Sequence, residues 1–356
     1  MEQTTAASQQ ATSSTRFDWL VIVLDAWFLG GLYLYGWADT HFGASLKTFF
    51  TPRQAIFYSG FLAVAILLIA TVIRNHTRGY SWWQAIPIGY ELPLMGIVIF
   101  PLGSIGDLIW HPGFGIEGLL NPLDVLQITG VALIMSGPFR AAWWRAEFSA
   151  QPWASKLPTV LSLTFLLSVF TFLTQFGNPF ASAWAAAANR PASSLFPLIS
   201  PTSPLLPHES AQLAQAIGVL GILLQTVLWM GMVLLAIGHW GWKLPVGAIT
   251  LMFTLNATLM GFIGDQLIFV PAAALTGIIA DLLLKQLKLS VERPALVHLF
   301  AAVIPLFLYF LYFLTILFTE GTWWPVPLWI AAIMLSSALS WLLSHLVAPL
   351  QTPWQL

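Results

Sequence analysis

The sequence contains no cysteine and very little charge. Without cysteine, disulfides, thiolate metal sites, iron–sulfur clusters and cysteine nucleophiles are all excluded. The 13 Lys and Arg and 14 Asp and Glu residues make up only 8% of the 356 residues, whereas an ordinary soluble domain has roughly 25% charged residues. The composition therefore excludes a soluble fold of this length.

The chain also lacks a basic surface and the common cofactor motifs. Its formal net charge of −1 provides no field that would attract nucleic acid, and no local cluster of Lys and Arg supplies one. P-loop, dinucleotide, GxSxG and paired-histidine haem patterns are missing as well. We therefore expect no nucleic-acid and no nucleotide partner.

Long apolar runs dominate what is present. Hydrophobic types form 58% of the chain, with 18 Trp, and they occur in runs of about 20 residues, enough to cross ~30 Å of hydrocarbon. This predicts an all-α, polytopic integral protein in the lipid bilayer of the cell membrane, with about ten transmembrane helices. We place them at 19–36, 54–73, 85–105, 122–143, 155–177, 211–238, 245–264, 271–288, 295–318 and 325–347.

The spans pair into five predicted hairpins within one transmembrane helical domain, 19–348. The hairpins cover 19–73, 85–143, 155–238, 245–288 and 295–347. Residues 1–18 are Ser/Thr/Gln-rich and lack an apolar core, so we expect a disordered cytoplasmic tail and no signal peptide. Residues 349–356 form the C-terminal tail.

The distribution of positive residues predicts that both termini are cytoplasmic, since Lys and Arg are retained on that side during insertion. Three basic residues fall on the predicted outer side: Lys47, Arg53 and Arg190. The other ten are cytoplasmic: Arg16, Arg74, Arg78, Arg140, Arg145, Lys156, Lys243, Lys285, Lys288 and Arg293. The outer face is predicted to be acidic, with Asp39, Asp107, Glu117, Asp124, Glu209, Asp265 and Glu320.

The first two hairpins share their spacing. Pro and then Gln54 follow His41 at the same separations as Pro and Asp124 follow His111. This predicts a duplicated two-helix unit, as in membrane folds built from internal repeats. His41 would then take the place of His111, and Gln54 that of Asp124. The alternative is that proline and glycine simply recur at helix starts and crossings.

The second external loop carries the strongest candidate site. Asp107 and His111 are four residues apart on the last turn of the third helix and project from one face, and Pro112 then discourages further helix. Asp124 lies in the first turn of the next helix, and Glu117 lies between as a further ligand or as a partner of one. Carboxylate and imidazole donors suit a transition-metal ion, copper or zinc. No catalytic residue is assigned.

The string from Gly106 to His111, with an acid, a proline and a polar residue at set distances after it, resembles a metal-site segment of the copper membrane monooxygenases, the particulate methane and ammonia monooxygenases. The resemblance covers about 20 residues. It implies that Asp107 and His111 bind copper in a membrane subunit of an enzyme that oxidises methane or ammonia with O₂, beside other membrane subunits. The third ligand in that family is a histidine, where this chain has Asp124. The resemblance therefore favours kinship of the segment over shared activity.

Two other functions stay open. If the loop is only capped and hydrogen-bonded, as a helix-terminal His and a first-turn acid allow, the protein is a catalytically silent accessory or scaffolding subunit of a membrane complex. If Asp25, Glu91 and Asp281 form a proton or cation path, it is a coupled transporter, because acids within spans are costly and usually functional. No intramembrane Lys or Arg is expected to pair with these acids.

The remaining polar and aromatic features are interpreted structurally. His41 is an interface residue, and Glu209, after His208, is a first-turn acid. The Pro/Ser/Ala-rich loop 178–207 lies along the membrane or covers the outer vestibule. The tryptophan pairs at span ends anchor the chain at the membrane interfaces; they are 82/83, 143/144 and 323/324.

Overall fold

The structure is a computed structural model that describes residues 10–42, 52–114, 121–145, 151–191 and 207–348, without the side chains of 111–114 and 207–209. These residues contain helices and no strand, which confirms the all-α class. The helices are α1 (Thr15–Phe42), α2 (Pro52–Thr77), α3 (Glu91–Phe114), α4 (Pro122–Met135), α5 (Gly137–Trp143), α6 (Trp153–Leu173), α7 (Pro207–Trp240), α8 (Ala248–Ile263), α9 (Val270–Gln286), α10 (Pro294–Thr319) and α11 (Val326–Val347).

The described helices are those of a multi-pass membrane protein. Eight are long and apolar enough to cross a membrane, and a ninth span results if the bent pair α4 and α5 counts as one. The remaining helix, α8, is apolar but has only 16 residues, about 24 Å of length. Each of the ten predicted apolar segments therefore corresponds to a helix or a helix pair, and α8 falls short of full spanning length.

Two predicted spans differ from the observed helices. The third was expected from residue 85, but α3 begins at Glu91, because Gly89 adopts φ +90° and a Cβ atom there would lie 2.4 Å from the backbone nitrogen of Ala141. The fourth was expected to be continuous, yet α4 and α5 are bent by 46° at Ser136. The next residues, Gly137 and Pro138, disfavour continuous helix.

The described part of the N-terminal segment is not a free tail. α1 begins at Thr15 instead of residue 19. Before it, Ala11 is buried and exchanges backbone hydrogen bonds with Gln84 and Ile88. The expected disorder of 1–18 is therefore wrong for residues 10–18, which pack against the connection between α2 and α3.

The chain divides into two compact units, Met1–Leu173 and Thr174–Leu356; the single helical domain expected for 19–348 stays a prediction. In unit 1, α1 packs on α2 and α3 packs on α4, as the first two hairpins predict, and α6 lies against α1, α4 and α5. Aromatic side chains join the two hairpins in the core: Phe28, Phe57, Phe61 and Phe100.

In unit 2, α8 packs on α9 and α10 on α11, as predicted, while α7 lies against α11. The segment 178–191 also belongs to this core: Phe180 is fully buried and stacks on Trp229 at 5.2 Å. This corrects the interpretation of that part of the loop as a surface cover. Trp324 is likewise buried, at 3% exposure, and so is not an interface anchor.

Candidate functional site

Four side chains from four helices meet where α1 ends and α2 begins. They are Tyr35 of α1, Tyr58 of α2, Asp107 of α3 and Asp124 of α4, which we term the loop-end cluster. Both tyrosines interact electrostatically with both carboxylates. Tyr35 is exposed and the other three are half-buried. The two acids predicted as ligands therefore share one neighbourhood at the surface of unit 1.

Asn121 connects the two helices that carry these acids. As the N-cap of α4, its side-chain oxygen accepts a hydrogen bond from the backbone N–H of Leu123 at 3.0 Å. Its amide nitrogen donates to Oδ1 of Asp107 at 3.4 Å. Asn121 thus has the capping role that was the structural alternative for Asp124. Its role was not expected from the sequence, although an Asn-Pro pair before an apolar run is a helix-start signal.

A second polar layer lies directly beneath the cluster. The amide of Gln127 donates to Oγ of Ser104, and Tyr58 hydrogen-bonds to both side chains. These three residues come from α4, α3 and α2, so the layer ties the two hairpins together. The loop-end cluster therefore rests on a hydrogen-bonded base.

The other two predicted ligands lie partly or wholly outside the described residues. α3 continues to Phe114, so Pro112 does not stop the helix, because proline removes only one backbone hydrogen bond near its end. His111 occupies the helical position one turn after Asp107; its side chain and all of Glu117 fall outside the description. Among the described side chains, no three His, Cys, Asp or Glu groups are placed to hold a metal ion. The metal site stays a prediction.

Close glycine contacts hold the first hairpin together. A Cβ atom at Gly31 would lie 2.6 Å from Cα of Phe57, and one at Gly60 would lie 2.6 Å from Cα of Phe28. Because these distances leave no room for a side chain, the backbones of α1 and α2 are in direct contact, as in small-residue packing of membrane helices.

The second hairpin repeats this pair of contacts. A Cβ atom at Gly103 would lie 2.7 Å from the backbone nitrogen of Gln127, and one at Gly130 would lie 2.6 Å from that of Phe100. Glycine faces the same helix position in both hairpins, once from each side. The shared geometry supports the predicted duplication.

The glycine contacts also fix the register of the repeat. The returning helices correspond at a separation of 70 residues, but the outgoing helices correspond at 72, because the second connection is two residues shorter. The expected match of His41 with His111 is therefore wrong, whereas that of Gln54 with Asp124 holds. The equivalent pairs are Tyr35 with Asp107, Asp39 with His111 and Gln54 with Asp124.

His41 is satisfied within its own helix end. Its Nδ1 lies 2.7 Å from the carbonyl oxygen of Trp37, and its ring stacks on Trp37 with the centroids 4.7 Å apart. The side chain is exposed at the last turn of α1. This placement is compatible with the interface role expected from the sequence.

Two of the three predicted intramembrane acids have structural partners. Glu91 forms an ion pair with Arg140 at 3.3 Å, so the expectation that no basic residue pairs with these acids is wrong at this position. Asp281 is buried and accepts hydrogen bonds from the backbone N–H groups of Ile249 at 3.2 Å and Thr250 at 2.9 Å. It therefore caps the first turn of α8 from the neighbouring helix α9.

Asp25 differs from both. It is 0% exposed in α1, and neither carboxyl oxygen has a hydrogen-bond partner among the described residues. A buried charged group without a partner is far more costly than a neutral one. Of the three acids, Asp25 is thus the one that packing and capping leave unexplained.

A polar network that was not expected from the sequence lies at the other end of unit 1, where α1 begins. Asp18 is buried and forms an ion pair with Arg145, and the hydroxyl of Tyr90 donates to its Oδ1 at 2.7 Å. Burial, followed by the charge of Asp18, raises the pKa of Tyr90 well above its usual value. Tyr90 therefore stays a neutral donor at physiological pH. We term Asp18, Tyr90 and Arg145 the tail-end network.

A histidine pair in unit 2 was not expected either. His298, near the start of α10, and His345, in the last turn of α11, stack with their centroids 4.0 Å apart. Nδ1 of His298 lies 2.6 Å from Oγ of Ser344. Both histidines flank one predicted hairpin, at its first and its last turn, and that placement was the available signal.

The remaining predicted feature is at the start of α7. The helix begins at Pro207, which places His208 and Glu209 in its first turn, as expected; their side chains lie outside the described part. Comparison of the sequence with protein-family models gave no match, and neither the curated proteins nor the solved structures contained a similar chain.

Proposed function

We propose that the protein is an integral membrane subunit that binds one transition-metal ion, copper or zinc, at the loop-end cluster. Asp107, His111 and Asp124 are the proposed ligands, with Glu117 as a further ligand or as a partner of one. The cluster faces the extracytoplasmic side of the cell membrane, both termini are cytoplasmic, and the protein works beside other membrane subunits.

The observation that carries this proposal is the common neighbourhood of Asp107 and Asp124. They come from different helices, yet both interact with Tyr35 and Tyr58. Two carboxylates are too few for a tight transition-metal site, so the proposal depends on the imidazole of His111, one helical turn beyond Asp107. The resemblance to the copper membrane monooxygenases adds that an Asp and a His at this spacing are copper ligands in that family.

Metal analysis tests the proposal directly. The protein is purified in detergent without chelator, loaded with Cu or Zn, passed through a desalting column and analysed by mass spectrometry for metal content. We expect roughly one ion per chain in the wild type and a loss of that ion in His111→Ala and Asp107→Asn. Added metal should also raise the unfolding temperature of the wild type, because only the folded state presents the assembled site.

His41→Ala is the matched control, because it removes an imidazole at the same end of unit 1 without touching the proposed ligands. It should bind as much metal as the wild type. A wild type without stoichiometric metal, or a His111→Ala variant with an unchanged metal content, would overturn the metal proposal. The accessory-subunit interpretation would then be favoured, in which the exposed apolar helix faces pack on partner proteins.

A further inference from the structure

The second candidate site of the molecule is built around Asp25, deep within unit 1. Its carboxyl group is fully buried, and both oxygens lack a hydrogen-bond partner among the described residues. Asp25 lies ten residues from the start of α1, about 15 Å along the helix axis. It is therefore separated from water by more than two helical turns.

The depth of Asp25 can be matched to the neighbouring helix α6. Trp19 Nε1 donates to the carbonyl oxygen of Ala154, and the Tyr33 hydroxyl donates to that of Ser168. Both pairs are 135 residues apart, so α1 and α6 run parallel with a constant offset. Asp25 is consequently level with residue 160, two residues before Ser162 and only about 3 Å from its level.

Ser162 marks the break between α4 and α5. Its hydroxyl donates to the carbonyl oxygen of Met135 at 2.6 Å and accepts from the backbone N–H of Phe139 at 3.1 Å. The two helix segments are bent by 46° there. Asp25 thus lies at the depth of a broken helix, on a helix that packs against both segments. Broken membrane helices often surround ion and proton sites, because the free backbone groups offer polar partners.

A chain of polar groups leads from this level to the tail end. The ring of Tyr90 packs against the break, where a Cβ atom at Gly137 would lie 2.7 Å from its Cε1. The Tyr90 hydroxyl donates to Asp18, which pairs with Arg145, and Tyr90 also interacts electrostatically with Asp25. Tyr90 is therefore placed between the buried carboxyl and the tail-end network.

Within the described part of the chain, no cation faces Asp25 from the helices packed on α1. The opposing stretch of α2, residues 60–70, has no titratable group, and the only one in α4 is Asp124, at the loop end. On α6, Lys156 is one turn nearer the tail end than the level of Asp25, and on α5, Arg140 is in an ion pair. An ionised Asp25 would thus lack both a counter-ion and hydrogen bonds from these helices, which is prohibitively costly.

We propose that Asp25 is a proton-binding site, which exchanges its proton with water at the tail end through Tyr90 and Asp18. In the release step the Oδ–H bond of Asp25 breaks and the proton passes to the Tyr90 hydroxyl, which gives its own proton to Asp18. Asp18 then releases a proton to water. One proton leaves Asp25 for bulk water, and neither a tyrosinate nor a protonated tyrosine accumulates.

Infrared spectroscopy of the protein in lipid nanodiscs tests this proposal. A protonated carboxyl group has a C=O stretching band above the amide band, and this band shifts in D₂O. At neutral pH we expect a band in the wild type that is lost in Asp25→Asn and in Asp25→Leu. Glu91→Gln is the matched control, because Glu91 is ion-paired and ionised, and it should keep the band. A wild-type spectrum that Asp25→Asn leaves unchanged would overturn the proposal.

The exchange route has its own readout. Tyr90→Phe should keep the Asp25 band but slow its shift after transfer to D₂O by roughly tenfold or more, because the relay hydroxyl is lost. Phe17→Leu, which removes an aromatic neighbour of the Tyr90 ring and leaves the hydroxyl in place, is the control and should exchange at the wild-type rate. Equal exchange rates in Tyr90→Phe and the wild type would refute the route through Tyr90.

Discussion

Adjacent glycines in α1 provide a sharp test of the helix packing in unit 1. A Cβ atom at Gly31 would lie 2.6 Å from Cα and 2.8 Å from the nitrogen of Phe57, whereas nothing lies within 4 Å of a Cβ atom at Gly30. Non-bonded carbon atoms pack at about 3.5–4.0 Å. Gly31→Ala therefore requires α1 and α2 to separate by roughly 1 Å, while Gly30→Ala requires no movement.

The cost follows from this displacement. Overpacking of a well-packed contact costs about 1–3 kcal/mol, and alanine is favoured over glycine in a helix by up to about 1 kcal/mol. We expect Gly31→Ala to be less stable than Gly30→Ala by about 2–4 kcal/mol. Reversible unfolding in mixed detergent micelles measures both free energies. Equal stability of the two variants would refute the assigned crossing point of α1 and α2.

Three further predictions concern other parts of the chain. Arg145→Ala should destabilise the protein by about 3–5 kcal/mol in the same unfolding assay, because it leaves a buried acid unpaired; a change below about 1 kcal/mol would contradict that. Asp281→Asn should cost more stability than Asp25→Asn, because it disturbs an acceptor of several hydrogen bonds and Asp25 accepts none from the described residues; the reverse order would contradict the assignment. In this cysteine-free chain, single cysteines at positions 115 and 195 should react with impermeant reagents only from outside the cell, and labelling from the cytoplasm alone would refute the topology.

The apolar helices of this fold are predictable from sequence because burial in lipid requires long, continuous apolar runs. Their interruptions are less visible. Residues 85–90 have the composition of a span, yet a positive φ at Gly89 and a close backbone contact to Ala141 start α3 only at Glu91. Likewise the break at Ser136 is stabilised by Ser162, a residue in another helix. Such tertiary contacts leave no signal in the local pattern of hydrophobicity.

The repeat was only partly readable for a similar reason. Spacing along the chain measures the loop as well as the helices, and the two connections differ by two residues. The correct register comes from the glycine contacts, which are fixed by the crossing of two backbones. In that register the first hairpin has Tyr35 and Asp39 where the second has Asp107 and His111. The two hairpins therefore share a backbone arrangement and differ in the donors they present at the loop end.

The acids within the apolar helices show why the candidate site could be named from sequence but not ranked. Asp18 is buried beside Arg145, Asp281 is buried against the first turn of α8, and Asp25 is buried with no partner among the described residues. In each case the deciding group is on another helix, so the three acids are equivalent in sequence and different in energy. An ion pair or a helix cap offsets the burial of a carboxylate. Where neither exists, the group is tolerated only in its neutral form, which makes the proton itself part of the fold.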